Sequence, residues 1–199
     1  MMCRDVIMAL VGGLIGFVSS LGIMIAQHIF DKKGRISIYY KFISQKDNRK
    51  KPWGIYENKL DTIDLIIPAV FEFQNTTNTT RVLRDVHVSI YKHNQFVAKL
   101  RQIERSGDKT TTKESKYGTE NGSYSFVLHP RSIQKQEVCF VYEISENEAS
   151  KKDFDTIRIS YYNEKDKKIS YIAKENITGW KIGNQSPDIE WIKLSRKAK

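Results

Sequence analysis

The chain has 199 residues, room for one domain of ordinary size or one domain with an appendage. Lys and Arg number 33 against 23 Asp and Glu, a formal charge of +10 at pH 7. Two cysteines exclude a fold stapled by several disulfides, and 28% charged with 11% aromatic residues excludes a fully disordered chain.

The average hides a division. Val6 to Ala26 carries no charged side chain over 21 residues. As a helix rising about 1.5 Å per residue it spans roughly 30 Å, the thickness of a bilayer's hydrocarbon core. Water is absent there, and a helix pairs its backbone groups within itself. A cleaved signal peptide is the competing reading, with an apolar core of about 7–15 residues ending in small residues. This run is longer, and Ile23-Met24-Ile25-Ala26-Gln27 offers no small-x-small cleavage site. Residues 1–33 are therefore expected to be an uncleaved anchor with membrane lipid as its partner.

Flanking charge predicts orientation. The N-terminal flank has Arg4 beside Asp5. The C-terminal flank has Lys32, Lys33, Arg35 and Lys41, then Lys46, Arg49, Lys50 and Lys51. Positive flanks stay in the cytoplasm, so a single-pass protein with a cytoplasmic C-terminal domain is expected. Lys32, Lys33 and Arg35 would each gain roughly 1 kcal/mol from anionic headgroups. Gly12, Gly16 and Ser20 recur at four-residue spacing, a flat strip suited to self-association or to a partner's helix. The frequency of glycine in membrane helices accounts equally well for the strip. Asp31-Lys32-Lys33-Gly34 closes the helix, with cations in the last turn and a glycine after it.

From residue 34 the hydrophobic period changes to two. Ile36, Ile38, Tyr40 and Phe42 alternate with polar neighbours. Leu65, Ile67, Ala69, Phe71 and Phe73 form a second set, interrupted by Pro68, which predicts an edge or bulged strand. Val86, Val88 and Ile90 lead through His93-Asn94 to Phe96, Ala98 and Leu100, a hairpin. Tyr124, Phe126 and Leu128 make another strand, and Val138, Phe140, Tyr142 and Ile144 another. Ile157, Ile159 and Tyr161 turn through Asn163–Lys167 into Ile169, Tyr171 and Ala173, a second hairpin. Eight strand candidates with no long amphipathic helix between them predict an all-β antiparallel domain over 34–185, a sandwich or a small barrel.

Residues 44–61 and 105–122 are polar, basic and long for loops. Trp53 and Tyr56 interrupt the first. They are candidates for folding back, touching lipid headgroups or docking a partner, and Phe71 and Phe73 are candidate partner contacts as well. Over 186–199, Ser186-Pro187 resembles an N-cap followed by Pro at the first helical position, which predicts a short basic C-terminal helix. Trp191, Ile192 and Leu194 would cap the sheet or, alternatively, lie on the membrane.

The runs FEFQN (71–75) and VLRDVHVSIY (82–91), the Leu128-His129-Pro130 turn and the hairpin ending NEKDKKISY (163–171) resemble bacterial immunoglobulin-like sandwiches over about residues 62–175. The core disulfide of antibody domains is absent, since Cys139 has no second domain cysteine. The resemblance implies an adhesion, scaffold or assembly module. A second resemblance is to bacterial anti-phage membrane effectors with a β-barrel nucleotide sensor, which have two helices where this chain has one. It implies a domain that senses a small anionic ligand and drives helix oligomerisation.

Catalytic signatures are missing. His28, His87, His93 and His129 are scattered, no H-E-x-x-H pair or cysteine cluster occurs, and no glycine-rich phosphate loop follows a strand. Neither an enzyme nor a cofactor is expected, and Cys139 reads as a structural thiol. Sequons at Asn75, Asn78, Asn121 and Asn176 read as polar turns. Aromatics are not interleaved with a basic stripe, so nucleic acid is not an expected partner. The expectation is a membrane-anchored interaction or scaffold module at the inner face of the membrane, with the ligand-sensing effector as its alternative.

Overall fold

An apolar run free of proline has no reason to leave the helical conformation, and it does not. The structure is a computed structural model that describes residues 2–44, 52–58, 62–103, 125–149 and 151–194, with no side-chain account at 2–7, 31, 32 and 58. Helix α1 runs Met2–Lys32, and Lys33 N donates to the Phe30 carbonyl at 3.1 Å to tighten its last turn. Three residues later β1 (Ile36–Phe42) begins.

The strands follow as β2 (Trp53–Asn58), β3 (Thr62–Asn75), β4 (Arg81–Lys92), β5 (Gln95–Lys99), β6 (Arg101–Ile103), β7 (Phe126–Leu128) and β8 (Ser132–Ser145). After the short helix α2 (Glu146–Ala149) come β9 (Thr156–Tyr162), β10 (Lys168–Lys174), a 3₁₀ turn at Gly179–Lys181, β11 (Asn184–Gln185) and β12 (Ile192–Lys193). One sheet has seven strands in the order β11-β2-β3-β1-β12, with β8 along the other edge of β3 and β6 outside β8. The second has five, in the order β10-β9-β4-β5, with β7 also paired to β4. Two separate antiparallel sheets decide for the sandwich over the barrel.

The two hairpins have the turns their residues demand. His93 and Asn94 take φ 47° and 67°, as a two-residue type I′ connection requires. In the β9–β10 turn the Asn163 side-chain oxygen accepts from the backbone N–H of Lys165 and of Lys167, both at 3.0 Å.

Strand β3 is the spine of the first sheet. It pairs with β8 in unbroken register from Thr62 opposite Ser145 to Asn75 opposite Ser132. On its other edge it pairs first with β2 (Thr62–Ile66) and then with β1 (Ala69–Asn75). Pro68 sits at that changeover, so β3 is central and not an edge strand. A proline is tolerated there because the β1 ladder ends at Phe42 opposite Ala69, while the Pro68 carbonyl still accepts from Ile43 N at 2.8 Å.

The inward faces of both sheets meet in one core. Leu65, Ile67, Ala69, Phe71 and Phe73 of β3 are all fully buried, against Val86, Val88 and Ile90 of β4 and Ile157 and Ile159 of β9. Phe73 reaches across to Phe126 with ring centroids 4.3 Å apart. Each such ring removed from water stabilises the fold by about 1.5–3 kcal/mol.

Two expectations are corrected here. The polar stretch 44–61 contains a strand: Trp53 to Asn58 is β2, closing against both β3 and β11. The C-terminal segment through Leu194 is extended, not helical. Asp188, just after the Ser186-Pro187 pair, accepts the Phe42 N–H at 2.8 Å and the Lys174 ammonium at 2.5 Å. Ile192 then pairs with Tyr40, and Leu194 N donates to the Ile38 carbonyl at 2.8 Å. The sheet edge offers this segment hydrogen bonds and an apolar seat for Leu194, which outweigh a local capping preference. Residues 105–122 and 195–199 lie outside the described residues.

One buried ionisable group gives the fold a pH signature. Asp85 (φ 50°) bulges β4 between Arg84 and His87, and its carboxylate binds the Lys99 ammonium at 2.5 Å. His87, only 3% exposed, has Nδ1 2.6 Å from the Asp85 carbonyl oxygen. Burial is the leading influence on its imidazole and lowers the pKa. The Asp85 carbonyl and carboxylate oppose this, while Lys99 and Lys168 reinforce it. Below the ordinary value of about 6.5 the unfolded chain binds a proton that the folded chain refuses. Urea unfolding is therefore expected to show stability falling as pH drops through about 6.5, levelling off below the lowered folded value, and this slope is expected to flatten in His87→Gln.

Candidate functional site at the helix-bearing pole

The site most tightly determined by the chain is the end of the sandwich where the helix enters. Its floor is built by Asn75, the last residue of β3, which is 1% exposed. Its amide nitrogen donates to the carbonyls of Thr79 (2.9 Å), Leu128 (3.0 Å) and His129 (2.9 Å). Its side-chain oxygen accepts from the backbone N–H of Thr77 (3.0 Å) and the Thr77 hydroxyl (2.7 Å). One buried amide thus ties the β3–β4 loop to the β7–β8 turn. Arg131 N adds a bond to the Thr77 carbonyl at 3.1 Å.

The helix joint is fastened to the same loop. Arg35 N donates to the Thr76 hydroxyl at 2.9 Å, and Thr76 N returns to the Arg35 carbonyl at 3.1 Å. Gly34 between helix and strand has φ 123°, and a Cβ there would lie 2.6 Å from the Thr76 carbonyl oxygen. Only glycine fits both the dihedral and the close approach.

Strand direction gathers further loops at this pole. Arg84 lies opposite Tyr162, which brings the 163–167 turn beside the start of β4. There Arg81 is ion-paired with Glu164 and Arg84 with Asp166. Arg35, Arg131, Lys165, Lys167 and Lys168 are exposed around them. Arg131 uses its Nε on the Asn78 side chain at 2.7 Å. Ile133, next to this turn, is 65% exposed.

The helix itself is uncovered. Met8–Phe30, 23 residues, is long and apolar enough to cross a membrane, and none of it is buried by the rest of the chain. Gly12, Gly16 and Ser20 lie along it. A Cβ added at Gly12 or Gly16 meets nothing within 4 Å, and the Ser20 hydroxyl bonds back to the Gly16 carbonyl at 2.8 Å. Lys33 is exposed with its ammonium 6.0 Å from the Phe30 ring centroid, and Arg35 is exposed. The Lys32 side chain is outside the described residues.

The aromatic candidates fall elsewhere. Phe71 and Phe73 are fully buried and Trp53 is 4% exposed, so all three are core residues without a surface to offer a partner. Trp53 packs edge-on against Phe42 and donates its indole N–H to the Ser186 carbonyl at 3.2 Å. Tyr56 is half-buried, its hydroxyl turned to the Pro52 carbonyl. The expected partner role of Trp53, Phe71 and Phe73 is corrected by their burial. Asn75 reads in the sequence as a turn residue, and the structure makes it the floor of the pole. Its only local signal is an Asn followed by Thr-Thr, which also fits an ordinary turn.

At the opposite end, Lys92 and Lys152 lie near a shallow depression beside Phe96 but are ion-paired with Asp153 and Glu148. Among the described residues no group of three His, Cys, Asp or Glu side chains is placed to hold a metal, and Cys139, half-buried on β8, is in no disulfide.

Two antiparallel sheets over a shared core form a β-sandwich, here joined to an apolar helix of spanning length. Comparison with family models agrees: residues 34–174 match the YopI Ig-like domain. The chain belongs to the YopI Ig-like domain family. The match opens at Gly34, at the helix joint, and takes in β1 and β2, which the resemblance read from sequence had left out. No curated protein and no solved structure matches the chain.

The buried amide gives the first test of this pole. Asn75→Ala strands several buried carbonyls and is expected to cost about 2–4 kcal/mol in urea unfolding, whereas Asn78→Ala, at an exposed side chain, is expected to cost under about 1 kcal/mol.

Proposed function

We propose that this chain is a non-catalytic, single-pass membrane module whose sandwich stands at the cytoplasmic face and receives a protein partner along a free strand edge. The observation that carries the reading is the joint: an uncovered apolar helix of 23 residues passes into an Ig-like sandwich within three residues. An exposed apolar surface of that length has no stable place in water, and its basic C-terminal flank favours retention on the inner side.

The edge with the best claim is β10. It ends the five-stranded sheet, and no described strand pairs with its outer side. Its residues alternate, with Lys168, Ser170 and Ile172 outward and Ile169 and Tyr171 packed against the core. Ile172 is 41% exposed. A partner strand laid here gains backbone hydrogen bonds and side-chain pockets at alternate positions. The ligand-sensing alternative has less to stand on, because two of the three lysines beside the distal depression, Lys92 and Lys152, already have carboxylate partners.

Orientation is tested with one cysteine. Asn94→Cys in a Cys3→Ser, Cys139→Ser chain is expected to resist an impermeant maleimide in intact cells and to react after permeabilisation. Reaction in intact cells would place the sandwich outside. The edge is tested with a photo-crosslinker at Ser170, expected to form a discrete adduct in native membranes while one at Asn94 forms none. Equal adducts at both positions, or none at Ser170, would remove β10 from the account.

A further inference from the structure

We infer that the helix-bearing pole is a docking surface for anionic lipid headgroups, with Ile133 entering the interfacial layer beside a ring of cations. This rests on the reading of α1 as a membrane tether. From Lys32 to Ile36 there are four Cα steps, at most about 14 Å of extended chain. The joint is further pinned by the paired bonds between Arg35 and Thr76. With α1 in a bilayer, the loops at 75–80, 129–132 and 163–167 have no room to stand away from the surface.

Their net charge, with the flanking residues Lys33, Arg35, Arg81 and Arg84, is positive. Glu164 and Asp166, the carboxylates of the hairpin turn, are held by Arg81 and Arg84. Lys33, Arg35, Arg131, Lys165 and Lys167 remain exposed, and none has a carboxylate partner among the described residues. An exposed isoleucine close to these cations suits the headgroup boundary, where apolar burial and attraction to anionic lipid act together. Charge complementarity and continuity with the spanning helix both select lipid as the occupant.

The test uses the full chain with Cys3→Ser and Cys139→Ser, reconstituted into vesicles of phosphatidylcholine alone or with phosphatidylglycerol. An environment-sensitive label is placed through Ile133→Cys, or at the far pole through Gln95→Cys, and quenched with neutral acrylamide. The expected result is a roughly two- to fivefold loss of quenching at position 133 in anionic vesicles only. That loss should be reversed by high salt and by Arg35→Gln, Arg131→Gln, Lys165→Gln and Lys167→Gln together, with position 95 unchanged. A chain that floats with vesicles yet shows equal quenching in both lipids overturns the docking surface alone. A chain that does not float overturns the tether and the docking with it.

Discussion

Three residues of backbone govern the geometry of this protein. Between the end of α1 at Lys32 and the start of β1 at Ile36 the chain has no slack, and Gly34 must hold a left-handed conformation against the Thr76 carbonyl. A long linker would let the sandwich tumble at a distance from any surface. This joint instead selects which loops of the sandwich lie next to the helix. The buried amide of Asn75 then makes those loops one rigid unit, because a single side chain serves the β3–β4 loop and the β7–β8 turn at once.

Charge gains meaning only within that frame. A formal charge of +10 says little by itself about partners. Along the described strands many cations are spent locally: Lys99 on Asp85, Lys92 on Asp153, Lys174 on Asp188. At the helix-bearing pole the carboxylates of the 163–167 turn are internally paired, while several cations around them are not. That these cations gather toward the helix comes from strand direction, which brings the start of β4, the end of β9 and the start of β8 to the same end.

Much of the fold was legible as period-two alternation, since burial on one face of a sheet writes itself into every second residue. The same logic already contained the fate of Phe71 and Phe73: they continue the phase of Leu65, Ile67 and Ala69, so an in-phase aromatic is core before it is a contact. Other features were not legible. Strand β2 is six residues in a basic stretch with Gly54 near its start, and it is held by β3, the next strand along the chain, and by β11 from far along it. Ser186-Pro187 has the local look of a helix start, but Asp188 is claimed by Phe42 and Lys174 from distant strands. Pro68 argued for an edge and sits at the centre, because the partner on one side changes from β2 to β1 at that residue. In each case pairing between strands overrode a local preference.

The central claim is that α1 remains part of the mature protein and holds it in lipid. Intact-mass measurement of the protein recovered from carbonate-washed native membranes tests this most directly. The account predicts a chain in the membrane pellet that still carries Val6–Ala26. A mature chain beginning beyond Ala26, or a protein released wholly to the supernatant, would contradict it.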